Sequence, residues 1–198
     1  MASSEVNNGR RRFLVGATSV IGGLGAAAVA APFILSLTPS ARALAAGAPV
    51  EVNVSKIEEG QLVRIIWQGK PVWVVNRSEA MLAKLPSVDA KLKDPDSEVV
   101  SQQPDYAQNL GRSIKDKYLV LVGICTHLGC SPTYRPELAP ADLGADWPGG
   151  WYCPCHGSRF DMSGRVMKGS PAGTNLVVPP YHYKTETTIL VGESKGVA

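Results

Sequence analysis

All four cysteines and two of the three histidines fall in two short stretches. The first is Cys125-Thr126-His127-Leu128-Gly129-Cys130, the second Cys153-Pro154-Cys155-His156-Gly157-Ser158. Each holds a Cys and a His at close spacing, as Cys125-x-His127 and Cys153-x-x-His156. Two thiolates and two imidazoles can enclose one metal centre. Thiolates are soft donors that suit zinc and iron–sulfur clusters, and imidazole suits iron as well as zinc. Tetrahedral zinc takes the same four donors, but zinc fingers usually pair Cys with Cys and His with His. Here each stretch is mixed, and Cys130 and Cys155 are left over.

The double pattern C-x-H-x-G-C and C-P-C-H-G-S resembles the Rieske iron–sulfur family. That resemblance implies a [2Fe–2S] cluster, one iron on Cys125 and Cys153 and the other on His127 and His156. Replacing two anionic thiolates by neutral imidazoles makes a cluster less negative, and its potential rises into roughly −150 to +300 mV. Cys130 and Cys155 are open between free buried thiols and a bridge, and four cysteines allow three pairings in principle. Resemblance to the high-potential Rieske proteins implies a Cys130–Cys155 disulfide, which requires an oxidising compartment. Ser158 matches a family donor whose hydroxyl points at a cluster sulfide. Phe160 stands where the best-known mitochondrial members have Tyr, so one donor to the cluster is expected to be missing and the potential to be lower.

The loops need a scaffold, and the chain ahead of them reads in blocks. Arg10-Arg11-Arg12-Phe13-Leu14 resembles the twin-arginine export signal, which marks bacterial export. Residues 1–12 are therefore expected to be a cytoplasmic segment. Residues 13–37 are uncharged and Ala/Gly-rich, about 25 residues and long enough to span a bilayer. The basic flank places the N-terminus in the cytoplasm. A cleaved signal is the competing reading, since Ala41-Arg42-Ala43 and Ala43-Leu44-Ala45 resemble A-x-A sites. Residues 38–49 have no apolar face to bury and read as a flexible linker, with a helical turn open to Ala41–Ala46.

From residue 50 to 198 the pattern is mainly β. Val50–Val54 alternates like a strand, and Gln61–Trp67 with Pro71–Val75 reads as a hairpin across Gln68-Gly69-Lys70. Ser78 starts a short helix with Glu79 in its first turn. Lys91–Gln108 is polar and Pro-punctuated and reads as surface loop. Tyr118–Val122 is a buried strand delivering Cys125 and His127. Residues 134–150 form an irregular insertion between the two ligand loops, and residues 160–166 look like a hairpin. Leu176–Val178, Tyr181–Lys184 and Thr187–Val191 supply closing strands. Lys+Arg of 20 against Asp+Glu of 17 leaves a small net charge, and no nucleic-acid binding is expected.

Over most of its length the chain resembles the Rieske subunits of bacterial ubiquinol–cytochrome c reductase. Gly69-Lys70-Pro71-Val72 looks like that family's G-K-P-V stretch, and Asn175-Leu176-x-Val178-Pro179-Pro180-Tyr181 also matches. The implied fold is an antiparallel β-sandwich with an inserted cluster-binding subdomain, about 118–181, behind one transmembrane helix. The implied function is carrying one electron from quinol at cytochrome b to cytochrome c1, in a proton-translocating complex expected to be dimeric. His156 would face the quinol, His127 would be the second exposed imidazole, and Leu128 would pack on cytochrome b. Ser170-Pro171-Ala172-Gly173 sits where the family has Gly-Pro-Ala-Pro over the cluster, with Pro171 as a partner contact. Its departures predict a looser loop. His182 is expected to be an ordinary strand histidine. The implied location is the bacterial inner membrane, with the Rieske domain in the periplasm. Alternatives are an exported Rieske subunit of another respiratory enzyme, such as arsenite oxidase, and a zinc-stabilised binding module.

Overall fold

The computed structural model describes residues 7–194. The chain divides into two units, residues 1–45 and 46–198. In the first, α1 (Asn8–Ser36) is a 29-residue helix. Asn7 caps it, its side-chain oxygen accepting the Arg10 N–H at 3.1 Å. At 1.5 Å per residue such a helix is about 43 Å long, more than the ~30 Å of a hydrocarbon core. It is long and apolar enough to cross a membrane. Its large apolar side chains, from Phe13 and Leu14 to Ile34 and Leu35, are all exposed. The helix begins before the expected span of 13–37 and includes Arg10–Arg12. A short helix, α2 (Ala41–Gly47), follows where a helical turn was open.

The second unit is β-rich, and among the described residues its strands form three three-stranded sheets with every pairing antiparallel. β1 (Val50–Asn53) pairs with β9 (Thr188–Val191), which pairs with β8 (Tyr181–Thr185). β2 (Leu62–Trp67) and β3 (Lys70–Asn76) form the expected hairpin, and β4 (Tyr118–Val122) joins β3. Between β4 and β8 in sequence lies the third sheet, β5 (Thr133–Arg135), β6 (Gly150–Tyr152) and β7 (Arg159–Phe160). Ser78 caps α3 (Glu79–Lys84), its hydroxyl accepting the Met81 N–H.

Val72, Val74 and Val75 of β3 and Leu119, Val120 and Leu121 of β4 are fully buried. Their unbroken apolar runs mark strands covered on both faces. The same apolar core includes Val52, Ile189 and Val191 of the first sheet, Trp151 and Phe160 of the third, and the two cysteines Cys125 and Cys153. Trp73 of β3 stacks on Trp151 of β6 with ring centroids 5.8 Å apart and planes 3° from parallel. Gly123, just past β4, admits this packing: a Cβ there would lie 2.4 Å from the Trp73 ring. Its N–H donates to the Pro71 carbonyl at 2.7 Å. The strand that leads to Cys125 is thereby pressed against the indole pair.

Residues 91–108 are irregular and mostly at the surface, as expected, but they are anchored, with Leu92, Ser97, Gln103 and Ala107 buried. Lys93 N–H donates to Val166 O at 2.9 Å and Lys168 N–H to Lys91 O at 2.8 Å, so the segment straps the chain that follows β7. Residues 176–178, expected as a closing strand, form none; their backbone is used singly, with Val122 N–H on Val177 O and Leu176 N–H on Gly164 O, each at 2.8 Å. The expected 160–166 hairpin is present as a tight turn, with Asp161 N–H on Arg165 O at 3.0 Å.

That turn gathers three fully buried arginines, Arg77, Arg112 and Arg165. Arg165 pairs with buried Asp161 at 2.8 Å and with half-exposed Asp89 at 2.7 Å. Arg77 Nη1 donates to Met162 O and Ser163 Oγ, and Arg112 Nη1 to Ser163 O. Burial pulls Arg77 and Arg112 down to about 10, which leaves both charged at neutral pH. Buried charges are tolerated only when paired or hydrogen-bonded. Arg165→Met would strand the Asp161 carboxylate, and the unfolding free energy is expected to fall by about 3–5 kcal/mol. Denaturant titration checks this against Lys91→Gln at the exposed Lys91–Asp146 pair, where no measurable change is expected.

Candidate metal centre

β4 ends three residues before Cys125, and β6 ends immediately before Cys153. From those ends the chain makes the same six-residue loop twice. In the first, Cys125 N–H donates to Cys130 O at 2.7 Å and Gly129 N–H to Cys125 O at 3.1 Å. In the second, Cys153 N–H donates to Ser158 O at 2.8 Å and Gly157 N–H to Cys153 O at 2.9 Å. Each loop reverses at a glycine in the left-handed region, Gly129 at φ 84° and Gly157 at φ 76°. Only glycine adopts that conformation without steric cost. The histidine is the third residue of one loop and the fourth of the other, so the loops are related by fold rather than by strict sequence repeat.

Cys130 and Cys155 form a disulfide that joins the loops, with Cα atoms 6.6 Å apart. The sulfurs of Cys130, Cys155 and Cys153 lie within 4.8 Å of one another. Two of those three are consumed by the bridge, so this trio is not a ligand set. Cys125 and Cys153 stay free, each only 2% exposed. The His127 and His156 rings meet edge to face with centroids 4.8 Å apart. His156 is exposed and His127 half-buried. The free thiols are thus inside and the imidazoles outside.

The donor set fits a cationic cluster. Burial pushes the Cys125 thiol up from its ordinary value, and the adjacent Cys153 thiol raises it further. The His127 backbone N–H and the Ser158 hydroxyl act in the opposite direction. The Cys125 thiol therefore resists ionisation unless a metal supplies positive charge. Ser158 is fully buried and receives the Ala172 N–H at 3.0 Å. Phe160, fully buried on β7, offers no polar atom there. Leu128 is 71% exposed at the tip of the first loop, and Pro171 is exposed on the loop Ser170–Gly173. His182 lies on β8 with Nδ1 3.1 Å from Glu193 O, apart from both loops in sequence.

The loop Ser170–Gly173 is not loose. Ser170 Oγ accepts the Arg159 N–H at 3.0 Å, and Lys93 Nζ donates to Ser170 O at 2.6 Å and Ala172 O at 2.7 Å. Lys93 is a residue that sequence reasoning missed. No local pattern marks it, because its partners lie 77 and 79 positions away.

Non-reducing peptide mapping of the purified protein is expected to recover Cys130 linked to Cys155, with Cys125 and Cys153 as alkylatable thiols once metal is removed. Cys130→Ala is expected to lower stability by about 2–5 kcal/mol, measured by thermal or denaturant unfolding.

Comparison with known proteins gives the same outline. Residues 48–182 match the family described as Rieske [2Fe-2S] domain. Residues 1–40 match the family described as Ubiquitinol-cytochrome C reductase Fe-S subunit TAT signal. The chain is similar to the ubiquinol-cytochrome c reductase iron-sulfur subunit of Allochromatium vinosum, at 62% identity over 100% of this chain and 95% of that one. It is similar to the subunit of the same name from Blastochloris viridis, at 42% identity over 97% of this chain and 98% of that one. These names set aside both the arsenite oxidase alternative and the zinc-stabilised module. A likeness that runs from the export signal through both cysteine–histidine loops leaves one family: the chain belongs to the Rieske [2Fe–2S] iron–sulfur subunits of ubiquinol–cytochrome c reductase.

Proposed function

We propose that Cys125, His127, Cys153 and His156 hold the cluster, and that the domain carries single electrons between a quinol at cytochrome b and cytochrome c1. The observation that supports this best is the division of donors. Two buried thiols lie beneath and two imidazoles above, on loops closed by the same hydrogen bonds. Bound there, a [2Fe–2S] cluster supplies a one-electron centre whose histidine side is near water and whose cysteine side is dry. Each ligand imidazole keeps its other ring nitrogen for a partner. His156, the more exposed of the two, can receive a quinol hydroxyl proton at that nitrogen. Leu128 and Pro171 give the same face an apolar rim that excludes water when it docks on cytochrome b.

The chain is an exported subunit with an N-terminal apolar helix. We take α1 to be an uncleaved single anchor in the bacterial inner membrane, with Arg10–Arg12 on the cytoplasmic side and the Rieske domain in the periplasm. The Cys130–Cys155 bridge suits that oxidising compartment. A dimeric complex would let the domain serve two docking sites through a short tether. Within the domain unit, Gln68 N–H donates to Ala46 O at 3.0 Å, which pins the end of the linker. Of the linker read as 38–49, the end from Ala46 is thus held by the domain and Ala41–Ala45 is helical.

Cys125→Ser, His127→Ala, Cys153→Ser and His156→Ala are each expected to abolish the Rieske EPR signal of the purified protein. A signal that survives any one of them removes that residue from the ligand set. Replacing residues 40–45 by a Pro-rich stretch stiffens the tether. Cytochrome c reduction by membranes is expected to slow at least severalfold while the cluster spectrum stays unchanged; undiminished turnover contradicts a moving domain.

A further inference from the structure

The clamp on the loop Ser170–Gly173 ends at the cluster side of the domain. Lys93 leaves a backbone that is already fixed, because its own N–H is held by Val166 O and Leu92 is bridged to Met167. Its side chain then reaches over to two carbonyls of the loop, Ser170 O and Ala172 O. Between them Pro171 has no N–H to give. The Ala172 N–H is therefore the amide that this turn offers inward, and it donates to Ser158 Oγ in a fully buried contact.

A serine hydroxyl has one proton and two acceptor lone pairs. With the Ala172 N–H on one lone pair, the Ser158 proton turns away from Ala172. Ser158 closes the second loop, its own carbonyl accepting the Cys153 N–H at 2.8 Å, so the freed proton lies on the loop that carries one of the two free thiols. We propose that Lys93 is a positioning residue for electron transfer: by clamping the Ser170 and Ala172 carbonyls it fixes the Ala172 N–H on Ser158 Oγ and so aims the Ser158 hydroxyl at the cluster sulfur. This rests on the ligand set proposed above.

Lys93 as a residue is exposed, so water and salt screen its charge. Its influence on the cluster runs through geometry. Hydrogen bonds to the sulfurs stabilise the reduced, more negative cluster and raise the potential. With Phe160 offering no hydroxyl, Ser158 supplies the buried side-chain hydroxyl of the second loop, and the clamp matters correspondingly more. The clamp also accounts for a loop that lacks the family's second proline and is nevertheless held in place.

The test uses the full-length chain in membranes, with EPR-monitored redox titration of the parent, Lys93→Met, Lys93→Arg, Ser158→Ala and the Lys93→Met/Ser158→Ala pair. Lys93→Met is expected to lower the midpoint by a three- to tenfold change in the one-electron equilibrium, about 30–60 mV at ~59 mV per tenfold. Lys93→Arg keeps the parent value. In the Ser158→Ala background, Lys93→Met is expected to have no further effect on the midpoint, and hydrogen exchange across residues 170–173 should quicken in Lys93→Met and not in Lys93→Arg. An unmoved midpoint in Lys93→Met overturns the inference, as does an equal drop with and without Ser158, which would mark a through-space charge. If Lys93→Met holds no cluster, Lys93→Gln replaces it in both backgrounds under the same criteria. A parent chain without a Rieske signal would instead refute the ligand set, and this inference with it.

Discussion

The parallel stacking of Trp73 and Trp151 is where the two halves of the centre are brought together. Trp73 belongs to the strand beside β4, which leads to Cys125; Trp151 stands two residues before Cys153. An aromatic pair of this kind contributes about 0.5–1.5 kcal/mol beyond the area it buries. Its larger effect is positional. Two cysteines 28 positions apart must place their sulfurs beside each other in a dry interior. The stacked indoles and the close approach at Gly123 hold the two strand ends, and the Cys130–Cys155 bridge joins the two loops. Between those constraints the free thiols have little room to separate.

The rest of the domain reinforces that placement. The core that contains both free cysteines is continuous with the β1–β9–β8 sheet. The Asp161–Arg165 turn follows directly on β7 and is held by buried guanidinium groups on several sides. The strap at 91–97 then holds residues 166–175, with Asn175 Nδ2 on Asp94 O and Asn175 Oδ1 on the Val166 N–H. Rigid donors suit electron transfer, since a site that changes little between oxidation states needs little reorganisation.

The two cysteine–histidine loops, the hairpin before them, the strand that delivers Cys125 and the N-terminal apolar run were legible in the sequence. Each has a local signature: spacing, alternation, or uninterrupted apolar length. The capping of α3 by Ser78 was legible for the same reason. The anchoring of residues 91–108 was not legible because their partners lie far along the chain and their composition is polar. Arg165 sits in a stretch that reads as a hairpin, with nothing local to show that it is fully buried against Asp161 and Asp89. Lys93 and the 170–173 loop meet only in three dimensions. Resemblance pointed to a weakened loop from its missing residues, but the compensating donors come from elsewhere in the fold.

The central claim is that two buried cysteines and two outer histidines share one iron–sulfur cluster, and pulsed EPR on the reduced protein addresses it most directly. With histidine labelled by nitrogen-15 and the iron and acid-labile sulfide counted in the same sample, the account predicts equal iron and sulfide in a single binuclear centre. It also predicts hyperfine coupling to two distinct histidine nitrogens. A centre without histidine coupling, or a chain that holds zinc in place of iron and sulfide, would contradict it.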